Sequence, residues 1–109
     1  VVRMARAVRG VHIAPALKGY LVDLAEASRH HPSLTLGLSP RATLQLARAT
    51  RAQAAANGRD YAIPDDVKAV SGPVLGHRLV VRPEAAARGL TADIAISEVF
   101  AAVPVPVGR

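Results

Sequence analysis

The chain has 109 residues, half of them hydrophobic, with 3% aromatics, no cysteine and a formal net charge of +6 at pH 7. That length suits one small domain around a single core of Leu, Val, Ile and Ala, the missing cysteine excludes disulfides and thiolate metal sites, and no apolar run reaches the roughly 20 residues of a membrane span. Lys18 and Lys68 are the only lysines, so 12 of the 14 cations are arginines, which suits either a polyanionic partner or a solvated basic surface.

Val1 to Arg9 reads as a helix in progress, with Met4 and Val8 apolar and Arg3, Arg6 and Arg9 polar, and with no capping residue ahead of it. The stretch is too short and too basic for a signal peptide, so the expected setting is cytoplasmic, and the start is read as a cut from a longer protein. Val11 to Ile13 has strand character. From Ala14 to about His30 a helix is predicted, because Leu17, Tyr20, Leu21 and Leu24 form one apolar stripe and Pro15 fits its first turn. His31 to Leu38 reads as a loop, stopped by Pro32 and turned by Gly37.

Pro40 to Asn57 gives the strongest helical pattern. Ser39 stands at the cap and Pro40 at the first helical position. Thr43, Leu46, Ala47, Thr50 and Ala54 share one face, and Arg41, Gln45 and Arg48 the other. Asn57 and Gly58 are the expected C-terminal caps. A further helix starts at Pro64, with Asp65 and Asp66 where the dipole favours anions, although Ile63 stands where a capping Ser or Thr is usual. It is predicted to break at Ser71 to Pro73 and to resume through Leu75. Arg78 to Val81 is a strand expected to pair with Val11 to Ile13. "RPEAAARG" is a linker or a helical turn. Thr91 caps a last helix carrying Ile94, Ile96, Val99 and Phe100, and the proline-broken run from Val103 ends the chain as a tail. No internal repeat is present.

Several chemical motifs fail. "GLSPR" starts like a nucleophile elbow, but Arg41 occupies the place of the second glycine. No phosphate-cradling G-x-x-x-x-G-K-[ST] loop occurs. Pro64 makes Asp65 and Asp66 a helix start rather than a catalytic pair. His30 and His31 are adjacent, point apart on any regular element, and read as a solvated helix end; His12 and His77 lie on the two expected strands and read as structural. Arg41 remains. The helix dipole disfavours a cation in the first turn, yet free N–H groups beside a guanidinium make a corner that holds phosphate. The alternative is an arginine that leans into solvent or pairs with a remote carboxylate, and the residues alone leave both open.

Three strings in order resemble one family. "GLSPRA" (Gly37 to Ala42), "GRDYAIPDDV" (Gly58 to Val67) and "VLGHRL" (Val74 to Leu79) are similar to the C-terminal lid of MoxR-type AAA+ ATPases, and the likeness runs from about Arg9 to Pro106. It departs at Ile63, where the family carries a polar cap. The resemblance implies one lid domain over 1–109, its core about 9–103 and its tail 104–109. It implies a mainly all-α bundle of four to five helices, with at most a tiny two-stranded β pairing. It implies that Arg41 is the sensor 2 residue, reaching the terminal phosphates of ATP held by an upstream α/β domain, with Leu38, Ser39 and Pro40 shaping the corner. His77 and Arg78 match the family's His-Arg pair, for which a structural or subunit-contact role is expected. ATP and Mg²⁺ belong to the full-length protein. The isolated chain is expected to bind neither, to carry no metal or catalytic residue and to hydrolyse nothing. Implied partners are the nucleotide-binding domain, neighbouring subunits of a ring, taken as a hexamer, and von Willebrand factor A-type proteins, in chaperone-like remodelling or complex assembly; neither membrane nor nucleic acid is expected. The alternative is a small basic module that binds nucleic acid through Arg41, Arg48 and Arg51, or binds protein.

Overall fold

Proline stands at the first position of four of the five helices in the computed structural model, which describes residues 10–76 and 78–106. The ring presets φ for the helix and the missing N–H is one that has no intrahelical partner there anyway. Helix α1 spans Pro15–Arg29, β1 Leu34–Leu36, α2 Pro40–Ala56, α3 Pro64–Leu75, β2 Val80–Val81, α4 Pro83–Ala87 and α5 Ala92–Ala102. The architecture is mainly helical with one two-stranded pairing. The helix expected over Val1 to Arg9, His77, and the last three residues of the tail lie outside the described residues.

The helix ends follow local chemistry. At the end of α2, Gly58 takes φ 76°. Its N–H reaches the carbonyl of Ala55 and that of Arg59 reaches Ala54, both at 3.0 Å. These two bonds satisfy carbonyls that the helix leaves open, and the left-handed conformation is the one glycine enters without a Cβ penalty. Thr91 caps α5 as expected, its hydroxyl accepting from the Ile94 N–H at 3.2 Å. Of the two readings of "RPEAAARG", the helical turn is the one formed, as α4.

The α1 stripe of Leu17, Tyr20, Leu21 and Leu24 is buried as its spacing predicts. On α2 the buried row is Ala42, Leu46, Thr50 and Ala54, with Thr43 and Ala47 only half-buried. The row is set by α3, which packs against α2 more extensively than any other pair of elements. Small residues at both ends of the row let the two backbones approach. Thr50 is tolerated in full burial because its hydroxyl donates to the Leu46 carbonyl at 2.7 Å.

Two predicted features differ. The partner of β2 is not Val11 to Ile13 but β1, antiparallel, with Leu34 opposite Val81 and Leu36 opposite Val80. Pro32 and Gly37 mask this short strand in the sequence. It forms because Leu34 is drawn into the core while the Arg82 N–H donates to the Ser33 carbonyl at 2.8 Å and extends the pairing. His12 instead makes an isolated parallel bridge to Tyr61, through His12 N–H to the Asp60 carbonyl at 2.8 Å and Ala62 N–H to the His12 carbonyl at 2.9 Å. Second, α3 does not break at Ser71 to Pro73 but runs on to Leu75 with Pro73 inside it. Only two residues follow that proline in the helix, so the lost donor and the ring clash disturb a single turn at its end.

The Tyr20 hydroxyl is buried with no hydrogen-bond partner among the described residues, and its ring lies 6.4 Å from that of Phe100. An unpaired buried hydroxyl costs free energy that removing it recovers. Tyr20→Phe is therefore expected to raise stability by about 1 kcal/mol. Thermal melts of the two proteins check this; a lower midpoint for the variant would show that the hydroxyl is satisfied.

Candidate functional site

The corner that precedes α2 is built by the end of α1. Ser28 donates its hydroxyl to the Ala25 carbonyl at 2.6 Å and accepts the Leu38 N–H at 2.8 Å. Arg29 Nε donates to the Leu38 carbonyl at 2.9 Å. Both backbone groups of Leu38 are thereby fixed, while its side chain enters the core, 2% exposed. Gly37 lets the loop come this close: a Cβ there would sit 2.5 Å from the Arg29 nitrogen and 2.6 Å from the Ser28 carbonyl oxygen. No other residue fits without moving backbone.

The next residues turn that anchor into a helix start. Ser39 Oγ accepts the Ala42 N–H at 3.1 Å, and its carbonyl accepts from both the backbone N–H and the hydroxyl of Thr43 at 2.9 Å. Pro40, exposed, opens the helix. Arg41 follows, also exposed, with no hydrogen bond or ion pair to any described residue and no acidic residue in its turn. The remote carboxylate left open by the sequence is therefore not found among the described residues. The first-turn N–H groups of Ala42 and Thr43 are taken by Ser39, and Pro40 has none, so what this corner offers an anion is the Arg41 guanidinium, with its donors and positive charge.

The other sequence candidates are scattered. Arg78 is exposed and lines an open cleft with Gln45, Pro73 and Val74, while its neighbour His77 lies outside the described residues. His30 Nδ1 lies 2.9 Å from the Glu26 carbonyl. His31 is not the solvated helix end the sequence suggests. Its Nδ1 accepts the Ser33 N–H at 3.0 Å, which leaves the proton on Nε2, 2.8 Å from Glu98 Oε1 on α5. The ring, with its side chain 10% exposed, ties the end of α1 to α5. Among the described residues no three His, Asp or Glu side chains are placed to hold a metal ion.

One pair escapes sequence reasoning. Arg59 makes two hydrogen bonds to Asp66, at 2.6 and 2.7 Å, and Asp66 Oδ2 also accepts the Ile63 N–H at 2.8 Å. The carboxylate at the third helical position thus caps α3 from inside, which is why Ile63 can stand where an oxygen-bearing cap is usual. The signal available was the acid three residues after Ile63; its arginine, seven positions upstream, has no local rule to reveal it.

Burial pushes the Asp66 carboxyl up, but hydrogen bonds from Arg59 and Ile63 and the Arg59 charge outweigh it, and its pKa lies below the ordinary 3.8. A depressed folded pKa contributes stability that is complete above the unfolded value and is lost as pH falls through the folded one. The melting midpoint is expected to decline below about pH 4 as this contribution disappears. Asp66→Asn should melt lower than wild type at pH 7, with the gap narrowing in acid. A gap independent of pH would show that Asp66 contributes packing alone.

The AAA lid domain family matches residues 26–99. The chain belongs to that family. The lid is 39% identical over 95% of its length to the uncharacterized protein YeaC of Bacillus subtilis, and 38% identical over 89% of its length to the protein MoxR of Paracoccus denitrificans. It covers 32% and 33% of those two proteins, about a third of each. A crystal structure of a candidate ATPase from Cytophaga hutchinsonii superimposes with a TM-score of 0.87 at 29% identity, covering 94% of the lid and 34% of that chain. Among the described residues no helix is long and apolar enough to cross a membrane.

Proposed function

We propose that this lid serves a MoxR-type ATPase by supplying Arg41 as the sensor for the terminal phosphate of bound ATP. The observation that carries the reading is an exposed arginine without a described partner, at a helix start behind which both backbone groups of Leu38 are pinned to α1. Leu38 sets the position of the corner, Ser39 and Pro40 set the direction of α2, and Arg41 presents charge where a phosphate on a facing domain would lie. Arginine aimed at a terminal phosphate stabilises bound nucleotide and the charge that develops as it is cleaved. Loss of the phosphate removes the contact, so the angle between lid and nucleotide-binding domain follows nucleotide state.

On this reading the phosphate-cradling loop and the Mg²⁺ ligands belong to that facing domain. The isolated lid is then not an ATPase. The parent protein works in the cytoplasm as a ring, a hexamer by analogy, in chaperone-like remodelling or assembly with von Willebrand factor A-type partners. ATP turnover by the longer protein carrying Arg41→Ala tests the central claim, and turnover equal to wild type would sink it.

A further inference from the structure

Arg78 has no part in the reading above, and its surroundings are unusual. From Leu38 to Arg59 and from Val67 to Pro83 the chain contains no Asp or Glu. These two stretches hold α2 and most of α3, the most extensively packed pair of elements in the lid. Arg59 is occupied by Asp66. Arg51 turns to the α1 side of α2, where it lines a groove with Lys18, Leu21 and Val22. Round the helix from it Arg41, Gln45 and Arg48 share a face, Arg48 lying one turn from Arg51, and Gln45 lines an open cleft together with Arg78. Arg41 is one helical turn from Gln45 on the same face, so their Cβ atoms are about 5–6 Å apart.

We propose that Arg78 is a second anion-holding arginine, which with Arg41 and the Gln45 amide forms one recognition face for the oligophosphate of a nucleoside triphosphate. Neither arginine has a hydrogen bond or ion pair to a described residue, and no carboxylate in either stretch neutralises them. A phosphate chain carries several charges and many acceptor oxygens spread along its length, so it can engage two separate guanidinium groups at once. The inference rests on the sensor reading of Arg41 and extends it to a residue that lines the cleft beside Gln45.

The test uses the 109-residue chain and inorganic tripolyphosphate at low salt, followed by the side-chain Nε–H signals of its arginines. Arg41 and Arg78 are expected to shift together and to saturate together. Arg78→Ala should weaken binding about tenfold, Arg78→Lys should restore part of it, and Arg51→Ala should leave it within about twofold. Equal melting midpoints for all variants exclude a folding effect. Saturable shifts at Arg41 with none at Arg78 would overturn the inference and leave the sensor reading standing. Shifts of similar size at Arg51 and Arg88 would also overturn it, by showing a general basic surface. So would no saturable shift anywhere, whereas the sensor role of Arg41 would still be decided separately by turnover of the longer protein.

Discussion

Gly37→Ala is expected to destabilise the lid by roughly 3 kcal/mol, the upper part of the usual range for overpacking. The new methyl group would meet the Arg29 nitrogen and the Ser28 carbonyl carbon at 2.5 Å and the Ser28 oxygen at 2.6 Å. All three are backbone atoms at the end of α1, so no rotamer change relieves the contact. The loop must move away, and moving it stretches the Leu38 N–H bond to Ser28 and the Leu38 carbonyl bond from Arg29. It also withdraws a side chain that is 2% exposed from the core. For a domain of this size the midpoint should fall by about 10–20 °C. Calorimetry of the isolated lid measures it. A midpoint within about 2 °C of wild type would mean that the loop relaxes freely and does not fix the corner. Ser28→Ala, which removes one anchor without adding bulk, should cost less, about 1 kcal/mol.

The residues that a sequence makes legible here are those whose partners lie close along the chain. Proline at the first helical position, the Ser39 and Thr91 caps, the Asn57–Gly58 stop and the α1 stripe all follow from spacing of four residues or less. What escaped depends on distant contacts. Leu34 to Leu36 pairs with Val80 and Val81, a strand whose only alternative partner in the sequence was the equally short Val11 to Ile13. His31 meets Glu98 across 67 positions. Asp66 is visible as a helix-start acid but not as one limb of an ion pair. The glycine at position 37 is legible as a turn; that it faces backbone at 2.5 Å is not. Arg41 itself was marked by a local rule it breaks, since a cation in the first turn opposes the dipole. The fold adds that nothing described answers its charge, and that its position is held from behind.

Arg41→Ala in the longer protein is expected to lower ATP turnover by about 100-fold or more, the cost of removing one donor aimed at developing charge. Affinity should fall less, about tenfold, as one charge-assisted contact is lost from the ground state. The loss should be selective: a non-hydrolysable ATP analogue weakened, ADP unchanged, because only the former carries the terminal phosphate. Equal weakening of both would place Arg41 elsewhere along the nucleotide. Arg41→Lys should recover only part of the rate, since an ammonium cannot present two parallel donors. In the isolated lid Arg41→Ala should leave the melting midpoint unchanged or slightly higher, because Arg41 has no described partner and removing a cation from the first turn relieves a few tenths of a kcal/mol. Opposite signs on stability and turnover would separate this residue from Gly37, Leu38 and Ser28. Those three act by building the corner, so their loss lowers both quantities together, whereas Arg41 opposes the local dipole and acts only when a phosphate faces it.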